Sequence, residues 1–342
     1  MADQLNVAIV GCGGISGYHL PNILATPQMR LVATMDVVEA AAQLRAEEGD
    51  AAYHTTDLDR ILADDAIDAV LICSAHNTHV ELALQACAAG KHVFSEKPLA
   101  MTLDEARRIQ QAVHESGIHL MSGWWFKHSP VTKRLREVIH QPYFVLFVCR
   151  LPSTYYENAR PNDPDGPLGR NGILDAAGYN LHWIWHVMRS QPVEIMAMGY
   201  DGQPTNTSTI NIRFANGGIA TSVYSVVGSG GYLPKTYAEV LAGPVSAATA
   251  RFGNLVFEGT EEPGIEDNAY HNGFNEEMSM FARLCLEGGP NPMDAWEACM
   301  PTLIVEKTIE AMRTHQPVPV DVRDAFYLPE GKLPASIEDF GD

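Results

Sequence analysis

The chain has 342 residues, 46% of them apolar and 19% charged, which is the composition of a folded protein long enough for two ordinary domains. A formal net charge of -19, from 23 basic and 42 acidic side chains, argues against nucleic acid or an anionic membrane as partner. The six cysteines, at 12, 73, 87, 149, 285 and 299, form no Cys-x-x-Cys pair, which argues against a disulfide framework or a zinc knuckle.

The start, Met1-Ala2-Asp3-Gln4, runs straight into a strand with no basic segment and apolar stretch of signal length, and no apolar run approaches transmembrane length, so cytoplasmic residence is expected. Leu5 to Val10 reads as a buried strand, Gly11 to Gly17 as a glycine-rich turn and Ser16 to Leu24 as a helix ended by Pro27. Leu31 to Met35, Ala69 to Cys73, Val93-Phe94 and Leu120-Met121 continue the strands. Thr78-His79-Val80-Glu81 and Thr102-Leu103-Asp104-Glu105 both have the capping-box form, and Gly90 and Gly117 stand where those helices should stop. Strands alternating with helices predict a doubly wound parallel α/β sheet for residues 1–123.

From Trp124 the pattern changes, and residues 124–342 read as an α+β domain. A helix over Pro130 to Ile139 and a strand over Phe144 to Leu151 precede a loop from Pro152 to Gly172, long enough to be a lid. Ile173 to Met188 reads as a helix. The runs Thr209 to Phe214, Ile219 to Val227 and Tyr237 to Leu241 predict an antiparallel sheet, and helices near Phe274 to Glu287 and Met293 to Arg313 close the chain. Trp124-Trp125-Phe126 supplies aromatic bulk for packing between domains, and Lys127 is within sequence reach of substrate or cofactor.

Gly11-Cys12-Gly13-Gly14-Ile15-Ser16 fits the dinucleotide fingerprint with serine in the third glycine position. Gly11 permits the tight turn, and Gly13 lets backbone amides approach a pyrophosphate at the helix start. Asp36, ending the second strand with no arginine after it, suits the adenosine ribose and repels a 2'-phosphate, favouring NAD over NADP. Ser74 to His79 lies at the same sheet edge; His76 and His79 are cofactor-pocket candidates or structural hydrogen-bonding residues. Ser95-Glu96-Lys97-Pro98 puts an ammonium at that carboxyl edge, where it can hydrogen-bond a substrate hydroxyl; the alternative is a surface lysine beside a glutamate. Asp175, Tyr179, His182 and His186 share one face of their helix and suggest a lined cleft, a solvated face or satisfied core histidines. His182 and His186 at i and i+4 could hold a metal with Asp175, but no glutamate follows His182 as in the zinc-protease helix, and none is expected.

With these motifs, the whole chain resembles the Gfo/Idh/MocA oxidoreductase family, most specifically over Gly90-Lys91-His92-Val93-Phe94-Ser95-Glu96-Lys97-Pro98-Leu99-Ala100. The resemblance implies a Rossmann domain followed by a domain with an open, mostly antiparallel sheet, a nicotinamide cofactor, and homodimers or homotetramers formed through that sheet; the cofactor-binding candidates are Gly11, Gly13, Gly14, Ile15, Ser16, Asp36, Ser74, His76, His79, Glu96 and Lys97. It further implies hydride transfer between the nicotinamide and a secondary alcohol of a sugar, cyclitol or related polyol. Lys97 would orient the hydroxyl and Asp175 the helix site, with Tyr179 the preferred base and His182 its competitor. Tyrosine at 179 departs from the family's usual histidine, His182 from its usual aspartate, and Ala75-His76 from its usual proline and asparagine. Two other readings stand beside this one: an NAD-dependent glycosidase with transient sugar oxidation, and a non-catalytic dinucleotide or sugar sensor.

Overall fold

Strand β1 (Leu5–Val10) is the centre of the first sheet, and its near-continuous apolar run is what a strand buried on both faces requires. The structure, a computed structural model, describes residues 4–150, 178–199, 207–225, 236–250, 253–266 and 269–338. The expected loop at 152–172, the first turns of the helix expected from Ile173, and Asp175 lie outside them. β1 pairs in parallel with β2 (Met29–Met35) on one side and β4 (Ala69–Ile72) on the other. With β3 (Tyr53–Thr55), β5 (His92–Ser95) and β6 (Leu120–Ser122) the order is β3-β2-β1-β4-β5-β6. The order reverses between β1 and β4, so the crevice for a ligand opens at the carboxyl ends of those two strands.

The helices of this half are α1 (Ser16–Ala25), α2 (Glu39–Gly49), α3 (Leu58–Leu62), α4 (His79–Ala88) and α5 (Leu103–Ser116). The two capping boxes expected from sequence have different fates. At α5 the Thr102 side chain accepts the Glu105 amide while Glu105 reaches back to the Thr102 amide. At α4 a short 3₁₀ turn over His76–Thr78 intervenes; Thr78 Oγ1 donates to the Ala75 carbonyl and meets Ser74 Oγ at 2.7 Å, so it caps no helix. Glu81, freed from that role, faces Arg108 at 2.8 Å.

The second half begins with α6 (Trp125–His128) and α7 (Pro130–Val138). Its sheet has, among the described residues, nine strands: β7 (Phe144–Arg150), β8 (Pro192–Gly199), β9 (Thr207–Phe214), β10 (Ile219–Ser225), β11 (Thr236–Ala242), β12 (Val245–Ala250), β13 (Asn254–Glu258), β14 (Ile265–Glu266) and β15 (Val318–Pro319). All neighbouring pairs are antiparallel except β7 with β10, so the sheet is mixed and mostly antiparallel. Strict alternation governs β9, where Ile210, Ile212 and Phe214 face the core. Helix α8 (Gly178–Met188) and a late helix, α11 (Met300–Thr314), cover that inner face.

The single late helix expected over Met293 to Arg313 is two, α10 (Ala295–Ala298) and α11, broken where Pro301 can be accommodated only in a first turn. Together with α9 (Ala269–Glu287) they turn back onto the parallel sheet. Asn291 Nδ2 donates to the Leu120 carbonyl at 2.6 Å, the Ser122 amide to Met293 at 3.0 Å, and Thr302 Oγ1 to Ala100 at 2.7 Å. The end of the chain thus forms part of the first sheet's surroundings, which the division at residue 123 did not anticipate.

Candidate active site

The glycine turn follows β1 at the switch point. Gly11 adopts φ +94°, and a Cβ there would stand 2.5 Å from the Ser74 amide nitrogen, so only glycine lets the β1 and β4 turns touch. At Gly13 and Gly14 the opposite holds: both are exposed, with nothing within 4 Å of an added Cβ. That open ground lies before α1, whose start has no side-chain cap and no acidic residue in its first turn, so the positive end of the helix faces it. The residues present fit the pyrophosphate of a dinucleotide. Ile15 flanks the turn and Ser16 closes it, donating from Oγ to the Gly13 carbonyl at 2.6 Å.

Asp36 ends β2 beside this turn. Its Oδ2 accepts the Cys12 amide at 2.7 Å and Oδ1 the Val38 amide at 2.9 Å, which aims the carboxylate along the crevice. Val37 and Val38 after it are exposed. Burial, with Asp36 adding to it, pushes the Cys12 thiol up to about 12, so this cysteine is inert at neutral pH.

The Ser74 to His79 segment divides. Ser74 and His76 stay partly exposed at the edge. His79 is fully buried, its Nδ1 2.9 Å from the Pro98 carbonyl and Nε2 3.2 Å from that of Ser74. Burial holds it below the usual histidine range despite both carbonyls. It therefore ties the β4 and β5 turns together from behind, instead of lining the open face.

Lys97 follows β5, and the Lys97–Pro98 peptide is cis. Its Nζ lies over the ring of Tyr179, 4.7 Å from the centroid. Tyr179 is held by Trp124 and Trp125, whose rings are 5.3 and 6.2 Å away. Both Lys97 and Tyr179 are partly exposed, so the contact faces the crevice. Glu96 points the other way: it is 4% exposed, with Oε1 2.6 Å from His19 Nε2 and Oε2 accepting the Lys97 amide at 3.0 Å. Burial alone would raise its carboxyl, but His19 and then Lys97 outweigh this and hold it below the usual range.

The rest of the α8 stripe turns inward. His182 is 2% exposed, lies 4.7 Å ring to ring from Trp124, and its Nε2 is 3.2 Å from Glu297 Oε1. Lys127 Nζ meets the same oxygen at 2.6 Å and donates to the Pro292 carbonyl at 2.6 Å. Burial holds His182 below its ordinary value even with Glu297 beside it. His186 stacks on His182 with centroids 6.1 Å apart, and its Nε2 faces Arg136 Nη1 at 3.0 Å; burial and these cations keep it well below the usual range. Both ring nitrogens are thus engaged away from any shared metal, and among the described residues no three histidine, cysteine or acidic side chains form a metal-holding group.

Glu277 and Glu297 were not anticipated. Each sits on a late helix, and the signal was present for one of them: Phe274, Glu277, Met278 and Phe281 share a helix face, which inserts an acid into an apolar stripe. Glu297 follows a cap, Asp294, that accepts its amide at 2.9 Å.

The model of an oxidoreductase family with an NAD-binding Rossmann fold, Gfo/Idh/MocA, matches residues 5–124. Beyond that segment, the chain is 23% identical over 335 residues to myo-inositol 2-dehydrogenase of Thermotoga maritima, covering 91% of this chain and 98% of the relative. Residues 5–124 thus match the NAD-binding domain of the Gfo/Idh/MocA oxidoreductases, and the similarity to an inositol dehydrogenase runs over nearly the whole chain. Inositol 2-dehydrogenase of Paracoccus denitrificans is 34% identical over 155 residues, 43% of this chain and 46% of that one. The solved structure of scyllo-inositol dehydrogenase from Lactobacillus casei, with bound NAD(H) and scyllo-inositol, superposes with a TM-score of 0.78 at 20% identity, over 92% of this chain and 99% of that chain. The matched segment is an oxidoreductase's nicotinamide-dinucleotide-binding domain. No helix among its described residues is long and apolar enough to cross a membrane.

Proposed function

We propose that the protein oxidises a secondary alcohol of a cyclic polyol or sugar, with Lys97 orienting the reacting hydroxyl and Tyr179 accepting its proton. The observation that carries this reading is the placement of Lys97 Nζ 4.7 Å from the centre of the Tyr179 ring, beside the dinucleotide turn. The inositol dehydrogenases among its relatives support the substrate class. NAD is proposed over NADP because Asp36 presents a carboxylate at the end of β2, followed in sequence by two exposed valines; the nearby Arg45 faces the Gly13 carbonyl at 3.5 Å.

The nicotinamide, when bound, supplies the hydride acceptor. The Lys97 ammonium donates a hydrogen bond to the substrate oxygen and stabilises the negative charge that grows there as its proton leaves. Tyr179, in its phenolate form, receives that proton and becomes the phenol, and Trp124 and Trp125 pack against its ring. His182 is the weaker candidate for base, since its Nε2 faces Glu297 and the ring is enclosed. Asp175 is proposed to bind a neighbouring substrate hydroxyl.

The outer face of the second sheet is proposed to pair with a second copy in a homodimer or homotetramer. Val193, Met196 and Met198 on β8, Ile219 on β10, Leu241 on β11 and Val256 on β13 expose apolar surface there.

The test is NADH formation by the purified protein with NAD, and separately NADP, over inositols, aldoses, sugar acids and aryl glycosides. Turnover of a cyclitol or aldose with NAD is expected. Glycoside hydrolysis without NADH accumulation, or NAD binding with no turnover of any polyol, would overturn the reading.

A further inference from the structure

A buried acid-base cluster lies between the dinucleotide helix and the lysine turn, and the reaction above does not use it. His19 on α1 is 0% exposed, Glu96 after β5 is 4% exposed and Glu277 on α9 is 0% exposed. The shortest contact is His19 Nε2 to Glu96 Oε1 at 2.6 Å, while the second Glu96 oxygen accepts the backbone N–H of Lys97 itself. The site is tight: a Cβ on Gly123 would stand 3.3 Å from Glu96 Oε1. The His19 ring is clamped edge-on by Phe94 and Phe274, with centroids 5.3 and 5.2 Å away, and its Nδ1 has no hydrogen-bond partner among the described residues.

We propose that His19 is a positioning residue for Lys97: its Nε2–H fixes the buried Glu96 carboxylate, and that carboxylate fixes the backbone from which the lysine side chain springs. The proposal rests on the reading that Lys97 acts on the substrate. The 2.6 Å contact sets an imidazole nitrogen against a carboxylate oxygen that His19, against burial, holds below its usual range, so Nε2 is assigned as the donor. An isolated buried carboxylate is costly, and His19 meets that cost at one oxygen. Its other neighbours offer no substitute. Burial and then the Glu96 charge push the Glu277 carboxyl well above its ordinary range, and the nearby Trp124 amide only partly offsets this; both Glu277 oxygens lack an aligned hydrogen-bond donor. Cys73, at the end of β4, is likewise pushed well up by burial and by Glu96, and His79, on α4, is held down by burial. The Glu96 carboxylate stands directly behind the lysine backbone, and His19 is the group that holds it in register.

His19 sits on the helix whose first turn fits the pyrophosphate. The pair thus links the cofactor's proposed seat to the lysine through two hydrogen bonds.

The experiment compares His19→Gln, whose amide nitrogen reaches the place of Nε2, with His19→Asn, which is polar but too short, and His19→Phe, which keeps the ring and loses the donor. Two readouts are taken on each folded variant: kcat and KM for NAD with the substrate found above, and the side-chain NMR signal of Lys97 titrated with pH in the cofactor-free protein. Asn and Phe are expected to lower kcat by about tenfold or more, with KM for NAD changed less, and to displace the Lys97 titration; Gln is expected to restore both. Asn or Phe variants with wild-type kcat and an unmoved lysine signal would overturn the proposal. So would a folded Gln variant as impaired as Asn. The NMR arm stands without turnover: if Lys97→Ala retained full activity, the catalytic reading would fail while the lysine signal still judged the role of His19.

Discussion

Lys127 Nζ lies 2.6 Å from Oε1 of Glu297, joining the first turn of the second domain to a late helix, with side chains only 15% and 6% exposed. Burial works against the Glu297 carboxyl, yet Lys127 first and His182 second bring it down to about 2. A depressed acid contributes stability above its unfolded value, about 4.3, that is lost as pH falls toward 2, on the order of 3 kcal/mol in all. Lys127→Met, by leaving the carboxylate buried without its cation, should cost about 3–5 kcal/mol at neutral pH. Urea unfolding at pH 7 measures this, and between pH 4.5 and 2 the variant should lose less further stability than the parent.

Lys97→Ala and Tyr179→Phe should each lower kcat by about 10²–10⁴-fold, the usual contribution of a positioned proton-transfer group. NAD affinity, measured by fluorescence titration, should change little, because the turn at Gly11 to Ser16 is untouched. Wild-type turnover in either variant would remove that residue from the mechanism.

Asp36→Ala should weaken kcat/KM for NAD by about ten- to a hundredfold, the loss of a charged acceptor. NADP should lose less, since its phosphate is no longer opposed, so the preference between the two narrows. Parallel steady-state assays with both cofactors decide it, with a melting curve as control because Asp36 also caps the Cys12 and Val38 amides.

Glu105 and Glu81 occupy the same place in two similar sequence patterns but not in the structure. Glu105→Ala should cost about 1 kcal/mol, because its carboxylate accepts the Met101 and Thr102 amides at 2.7 and 3.1 Å. Glu81→Ala should cost under about 0.5 kcal/mol, the scale of an exposed ion pair. Chemical denaturation of the two variants checks the difference.

Met198→Glu, at 65% exposure on β8, adds a charge to the proposed oligomer face without touching the core. Sedimentation should show a lighter species than the parent, with unchanged circular dichroism. An unaltered mass would place the interface elsewhere.

Much of the first sheet was legible because its information is local: a buried run, a glycine turn and an acid one strand later already constrain Gly11, Gly13 and Asp36. The capping box at Thr102 was legible for the same reason, but the identical pattern at Thr78 was not decisive. There Ser74 offers a competing hydroxyl and the β4 turn tightens into 3₁₀ geometry. The spacing of Tyr179, His182 and His186 fixed a shared helix face without saying what covers it. Tyr179 meets Lys97 at the crevice, whereas His182 meets Glu297, a residue far along the chain whose approach depends on the break between α10 and α11. Glu277 was visible only as an acid in an apolar stripe, since its neighbour Glu96 arrives from another element. Long-range pairing of charges leaves no local pattern, and that is where the reading from sequence stopped.

The return of the late helices has a mechanical meaning. The chain passes from the parallel sheet to the mixed one at α6, comes back to β6 through Asn291 and Met293, and leaves again to place Val318 against β8. A pair of lobes joined by one strand can swing about it like covers on a spine, but lobes stitched at several points cannot. Here any such rotation would have to break the Asn291, Met293 and Thr302 hydrogen bonds together. The second crossing makes the late helices part of any hinge between the two sheets, so a relative rotation has to turn about the chain around α11 as well as about α6.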